Sequence, residues 1–309
     1  MKALFFIEAP FQLLSAYEAI SVYGVTKYKI FIRLSGKKNN DLQIIKLSET
    51  LFKNKLNIKY FCIKADKKSF LDLLVLIYIK INYIFINYKY DYIFIGNYDS
   101  KVLKIIINSI KKDRLILLDD GIKNILFQNN FNNNNNFNMF TMLTSIKPYL
   151  TQNIKYNFFL KFKNILKTVN IEMSDMVLFI GVDISESGII SEKQYLYFVE
   201  MLSRKYKNII YIPHRAEFEL KVNLINTFSN ILVENINYPI ELYPYYKQSI
   251  PTHILSFYSG ALVSMNCLYP EIDITSYKFD YKNSSNTINL ESVYNLLENY
   301  VKVVEIDKE

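Results

Sequence analysis

The stretch Lys2–Leu34, KALFFIEAPFQLLSAYEAISVYGVTKYKIFIRL, decides how the rest of the chain is read. Residues 2–7 form a short, continuous apolar run, as in a strand buried on both faces. Residues 11–22 carry apolar side chains at helical spacing, and residues 29–34 return to a β-rich run. Strand, helix and strand in immediate succession are the unit from which parallel sheets are built. The opening run meets Glu8 and Pro10 with no small-residue cleavage site behind it, so it reads as a first strand and not as a signal peptide.

The same alternation continues outward. Residues 57–63, 92–95 and 114–118 read as strands, with helical spacing over 42–52, 70–87 and 100–111. A second series follows, with strands over 176–180, 208–212, 231–233, 253–257 and 272–276. It includes a helix over 191–206, where Ser191 and Gln194 suit a capping box. Two such series predict two Rossmann-like α/β halves, 1–170 and 171–309, consistent with a length of 309 residues. The less regular connector 128–174 contains the Asn-rich tract 129–138, which reads as a mobile loop near the acceptor side. The last helix, 290–300, is expected to pack back against the first half.

Composition narrows the classes. Half of the residues are hydrophobic, with 26 Tyr and 22 Phe, which excludes general disorder. Cys62 and Cys267 match neither a disulfide framework nor a zinc spacing and read as buried thiols. The apolar run 70–85 is interrupted by Asp72, Lys80 and Asn82 before the roughly 18 clean residues of a membrane span. A net charge of +8 fits an anionic substrate, nucleic acid or an anionic membrane. Basic residues form no arginine-rich patch, so nucleic acid is not expected as a partner. With seven Gly there is no Walker A, GxGxxG or HExxH, and Ser259 is not framed as a nucleophile elbow.

Three segments could carry chemistry. In LLDDGIKN, Asp119 and Asp120 end a β-run before Gly121, where open α/β sheets place ligands, so that one carboxylate could act as general base. An Asx-type turn with two solvated acids is the competing reading. In YIPHRAEFE, His214 and Arg215 follow a strand and could bind a departing phosphate; a structural imidazole is the alternative. In PIELYPYYKQSIPTHILSFYSGALVS, Ser259 and Gly260 stand where a helix starts, offering a hydroxyl beside free N–H groups, although a plain capping serine fits equally. Ser256 is an alternative phosphate contact, and His253 reads as a core residue.

Taken in order, these segments resemble the bacterial sialyltransferases of GT-B architecture, particularly glycosyltransferase family 52 and its relatives in families 80 and 38. Asp119, Asp120 and Gly121 match that group's acidic motif, which supplies the catalytic base. His214 matches its histidine near the donor phosphate, with Arg215 where the family has proline. Ser259 matches half of its paired serines, with Tyr258 in its neighbour's place. Glu241 resembles the acid that grips the nucleotide ribose, and Pro10, Phe11 and Gln12 resemble the family N-terminus. Gly260, Gly181 and Asn97 complete the expected substrate and nucleotide contacts.

The resemblance implies a GT-B fold of two Rossmann-like domains with a cleft between them. It further implies an inverting, metal-independent, cofactor-free transfer of sialic acid or a related nonulosonic acid from a CMP donor to a glycan hydroxyl of lipooligosaccharide or capsule. The acceptor would be lipid-linked and the enzyme peripheral at the cytoplasmic face of the membrane, with a homodimer as one possible assembly. The competing functions are another GT-B enzyme, such as a Kdo transferase or a UDP-sugar transferase or epimerase, and a non-catalytic basic protein that docks to glycan or membrane.

Overall fold

In the computed structural model, which describes residues 1–52, 55–63, 89–108, 110–121, 138–145, 153–280 and 287–306, the strands form two sheets, and every neighbouring pair runs parallel. The chain divides into two units. The first comprises Met1–Asn124, Asn130–Ile165 and Asn237–Pro239, and the second comprises Ile125–Asn129, Leu166–Ile236 and Ile240–Glu309.

The first sheet contains β1 (Lys2–Ile7), β2 (Lys27–Leu34), β3 (Ile58–Cys62), β4 (Tyr90–Ile95), β5 (Lys112–Leu118), β6 (Asn138–Thr141) and β7 (Asn153–Tyr156). Their order is β3-β2-β1-β4-β5-β6-β7, so the direction of winding reverses between β1 and β4. Ala3 to Ile7 are all buried, because a parallel strand is covered on both faces. Phe5 stacks on Phe94 of β4 at 4.4 Å, and Phe6 stacks on Phe31 of β2 at 5.3 Å. Helix α1 (Pro10–Val22) begins with proline at its first turn, where a missing N–H costs nothing. Helices α2 (Lys38–Leu51), α3 (Lys101–Ile107) and α4 (Leu160–Leu166) complete the described helices of this unit's sequence.

The second sheet contains β8 (Glu172–Ile180), β9 (Ile209–Ile212), β10 (Ile231–Val233), β11 (Ser249–Ser256), β12 (Asp273–Lys278) and β13 (Lys302–Glu305), ordered β10-β9-β8-β11-β12-β13. Here the reversal falls between β8 and β11. The register of that pair shifts between Pro251 and His253, at a residue that has no N–H to give to the ladder. Helix α5 (Glu192–Lys205) starts with the capping box read from the sequence: Gln194 N–H donates to Ser191 Oγ, and Ser191 N–H donates to Gln194 Oε1. Helices α6 (Glu219–Ile225), α7 (Tyr243–Lys247), α8 (Ala261–Leu268) and α9 (Thr287–Leu297) follow. The core is aromatic, with Phe179, Phe198, Tyr195, Tyr211 and Phe257 all fully buried.

Several expectations are corrected. Within the connector 128–174 lie three elements not expected from the sequence, β6, β7 and α4, short enough to escape a reading by periodicity. The Asn tract from 129 to 137 and the helix over 70–87 lie outside the described residues, while Asn138 opens β6. Cys62 is exposed and Cys267 half-buried. His253 is not a core residue: its register partner on β12 is Asp273, its imidazole is more than a third exposed, and Nε2 lies 3.6 Å from Asp273 Oδ2. The Tyr294 hydroxyl of α9 donates to the Tyr277 carbonyl, and the chain continues into β13. Among the described residues no helix is long and apolar enough to cross a membrane.

Candidate functional site

In the first unit the polar residues gather at the carboxyl ends of β1, β2, β4 and β5, beside the winding reversal where open sheets bind ligands. Gly121, at φ +61°, turns the chain sharply after Asp119 and Asp120, a conformation that glycine adopts without strain. The two acids then separate in role. Asp119 is buried, and its Oδ2 accepts the Met142 N–H at 2.8 Å, tying β5 to the end of β6. Asp120 is half-buried, and its Oδ1 accepts the Gln12 side-chain amide at 2.7 Å.

Gln12 is fixed at its other end, where Oε1 accepts the Glu8 N–H at 2.8 Å. Its side chain lies over Gly96, so a Cβ at that position would overlap Gln12 Cδ and Cγ. Glu8 belongs to the same cluster: its Oε1 accepts from Arg33 Nη1 at 2.5 Å and from the Ser100 hydroxyl at 3.0 Å, and Asn40 Nδ2 donates to its carbonyl. Asn97 is half-buried and accepts the Asp99 N–H, a turn contact and not a link to Asp120. Glu8, Arg33, Asn40 and Ser100 were not singled out in the sequence. Glu8 directly follows a strand, and that position is the signal that could have found it.

In the second unit the candidates again follow the strand ends: Gly181 after β8, His214 and Arg215 after β9, and Tyr258, Ser259 and Gly260 after β11. Burial holds the His214 imidazole below its ordinary pKa; Asp183 opposes this, and Arg215 adds to it. The Tyr258 hydroxyl bonds to Ser187 and Asp183, and its pKa is pushed up to about 12, chiefly by burial. Asp183 thus acts on both His214 and Tyr258.

The His214 turn is held by a buried carboxylate. Glu217 Oε2 accepts the His214 N–H at 2.5 Å, Glu217 Oε1 accepts from the Tyr211 hydroxyl, and the Glu217 N–H donates to the His214 carbonyl. Lys221, one helical turn on, lies 2.8 Å from Glu217 and 2.9 Å from Glu186, with its ammonium 3.9 Å from the Tyr195 ring centre. A Cβ on Gly181 would overlap Glu217 Oε2 and come within 2.7 Å of Tyr211 Oη, so this glycine makes room for the carboxylate. Sequence reasoning gave Gly181 to the nucleotide and missed Lys221, although its spacing of four from Glu217 is visible in the chain.

Ser259 accepts the Ala261 N–H at 3.3 Å, and Gly260 occupies the cap position of α8. Ser256 is excluded as a phosphate contact: it is fully buried and donates to the Ile180 carbonyl at 2.7 Å, tying β11 to β8. Glu241 sits in a short 3₁₀ turn, where Oε1 accepts from the Ser264 hydroxyl at 2.6 Å; burial raises its pKa and Ser264 opposes the rise. The structure therefore brings Gln12 to Asp120, and His214 and Tyr258 to Asp183, and it pairs Glu241 with Ser264, not with Ser259. Among the described residues no group of three or more His, Cys, Asp or Glu could hold a metal ion.

No protein-family model and no curated protein sequence matches the chain. Solved structures do. The E. coli heptosyltransferase WaaC with ADP matches 99% of this chain and 94% of its own, at TM-score 0.54 and 8% identity. The UDP-GlcNAc 2-epimerase of Methanocaldococcus jannaschii, in complex with UDP-GlcNAc and UDP, matches 97% and 93%, at TM-score 0.53 and 12% identity. The S. aureus protein MnaA with UDP matches 96% and 87%, at TM-score 0.52 and 9% identity. Likeness at these identities establishes the fold, which is the GT-B arrangement of two Rossmann-like domains.

Proposed function

We propose that this chain is a nucleotide-sugar-dependent glycosyltransferase. The reading is carried by the division of labour at the end of β5, where Asp119 is committed to the backbone and Asp120 is held half-buried by Gln12. A carboxylate oriented by an amide can take a proton from an acceptor hydroxyl as that oxygen attacks the anomeric carbon. The new C–O bond forms as the bond from the anomeric carbon to the donor phosphate oxygen breaks, the nucleotide leaves with its electron pair, and the proton goes to Asp120. Attack opposite the leaving group inverts the anomeric centre.

The leaving phosphate would be bound in the second unit by His214, Arg215 and the N–H groups at the start of α8, beside Ser259. An imidazole kept neutral by burial would gain a proton when an anionic phosphate arrives, so its charge would develop where it is needed. Glu241 would accept from the ribose hydroxyls. No residue in this scheme calls for a metal or a cofactor.

The donor is supported from two sides. The solved structures of like fold hold ADP and UDP, which favours a UDP- or ADP-sugar enzyme, epimerases included. The resemblance of the Asp119–Gly121, His214 and Ser259 segments to the family 52 sialyltransferases favours a CMP-nonulosonate donor and a glycan acceptor. Thermal shift and nucleotide release over a panel of CMP-nonulosonates, CMP-Kdo, UDP-GlcNAc and ADP-sugars choose between them. One donor class should stabilise the protein and release its nucleotide only with acceptor sugar present. Loss of donor without acceptor, with a C2 epimer as product, would replace transfer by epimerisation, and no binding of any nucleotide would end the proposal.

A further inference from the structure

The net charge of +8 is not spread evenly. Residues 121–171 contain no Asp, Glu or Arg and six lysines, Lys123, Lys147, Lys155, Lys161, Lys163 and Lys167, so +6 of the +8 comes from this stretch. Within it, β7 runs into α4 through Asn157–Phe158–Phe159, and the backbone there is unusual. Phe159 has φ +53°, a left-handed conformation that a residue with a bulky side chain adopts only when its surroundings compel it.

The Phe159 ring is fully buried and packs on Phe11 of α1 at 6.0 Å, and its N–H donates to Asn157 Oδ1. Glu18, buried on α1, accepts the N–H groups of Lys161 and Phe162 at 3.1 and 2.6 Å, and so caps α4 from outside. With Phe159 pinned inward, its two neighbours point outward. Phe158 is 54% exposed and Leu160 63% exposed, and the Tyr156 ring lies 6.3 Å from Phe158. Lys163, on α4, adds charge beside them. Large apolar side chains held outward by a strained turn, in a segment with no acid, suit neither solvent nor a purely polar partner. Rings and aliphatic groups can enter the headgroup layer while lysines meet anionic phosphates.

We propose that Tyr156, Phe158 and Leu160, with Lys163, form a surface that docks the first unit on an anionic lipid bilayer. The same α1 that holds Phe159 through Phe11 places the next residue, Gln12, against Asp120. Docking would therefore set the candidate base close to the membrane plane, within reach of a hydroxyl on a lipid-carried acceptor. The lipid contact itself does not depend on the transferase reading.

The test is flotation of the full chain with vesicles of equal parts phosphatidylglycerol and phosphatidylcholine, against phosphatidylcholine alone, at low and high salt. The chain should float with the anionic vesicles at low salt and be released by salt. Lys163→Gln should lower the partition coefficient roughly fivefold. Phe158→Ser with Leu160→Ser should also lose flotation, with an unchanged melting temperature, since both side chains are exposed. Failure to float, equal flotation with neutral vesicles, or unchanged flotation of both variants would overturn the proposal. So would binding to heparin without flotation, which would assign the surface to a polyanionic glycan. None of these outcomes touches donor binding, so the transferase reading stands or falls separately.

Discussion

Each sheet carries a glycine beside its winding reversal with a polar side chain lying where a Cβ would be: Gln12 over Gly96 in the first unit, Glu217 over Gly181 in the second. The two covers differ in charge. The neutral Gln12 spends one end on the Glu8 N–H and the other on Asp120, leaving the charge on a half-buried acid. Glu217 is itself the charge, fully buried, and needs Lys221 and the Tyr211 hydroxyl to make burial tolerable. One unit holds a half-buried carboxylate through a neutral amide, and the other uses a buried carboxylate to fix the loop that carries His214.

That contrast predicts unequal sensitivity. Lys221→Ala should be the most damaging substitution, since it leaves Glu217 and Glu186 as buried carboxylates without their shared cation; a loss of about 3–5 kcal/mol in urea unfolding is expected. Retained stability would mean that water or another group compensates them. Gly181→Ala should follow, at about 3 kcal/mol, because Glu217 cannot move without giving up the His214 N–H. Gly96→Ala should cost less, about 1–2 kcal/mol, because Gln12 is a flexible side chain that can swing aside. Its larger effect should fall on turnover, through Asp120. Equal losses at the two glycines would erase the distinction between the units.

The smallest effect concerns Glu241, a buried carboxylate that accepts from the Ser264 hydroxyl. Its pKa is raised above 4.5 by burial, so the folded state holds the proton more tightly than the unfolded one. Stability contributed by the protonated form is therefore lost as pH rises from about 4.5 through the raised value. Glu241→Gln should flatten the fall in melting temperature across that range, and an unchanged slope would contradict the assignment.

Much of this was legible in the chain, for identifiable reasons. The continuous apolar runs of β1 and β4, the capping box at Ser191 and Gln194, and the turn at Gly121 are local, and local chemistry is what a sequence displays. Glu8 and Arg33 pair across 25 positions and resemble two ordinary surface charges until β1 and β2 lie side by side. The strands β6 and β7, four residues each, are too short for alternation to mark. His253 was read as core from its apolar neighbours, but its partner on β12 is Asp273 and its side chain is partly exposed. Ser256 and Ser259 looked alike in sequence, and only the tie from Ser256 to Ile180 separates them.

The measurement closest to the central claim compares Asp120→Asn, Asp119→Asn and the parent chain for donor binding and acceptor-dependent transfer, with the donor fixed by the nucleotide panel. Asp120→Asn should bind donor as the parent does, melt at nearly the same temperature, and transfer about 10²–10⁴-fold more slowly. Asp119→Asn should retain more activity but lose stability, because its carboxylate accepts the Met142 N–H. Parent-like transfer by Asp120→Asn, or a loss of turnover confined to Asp119→Asn at full stability, would contradict the account.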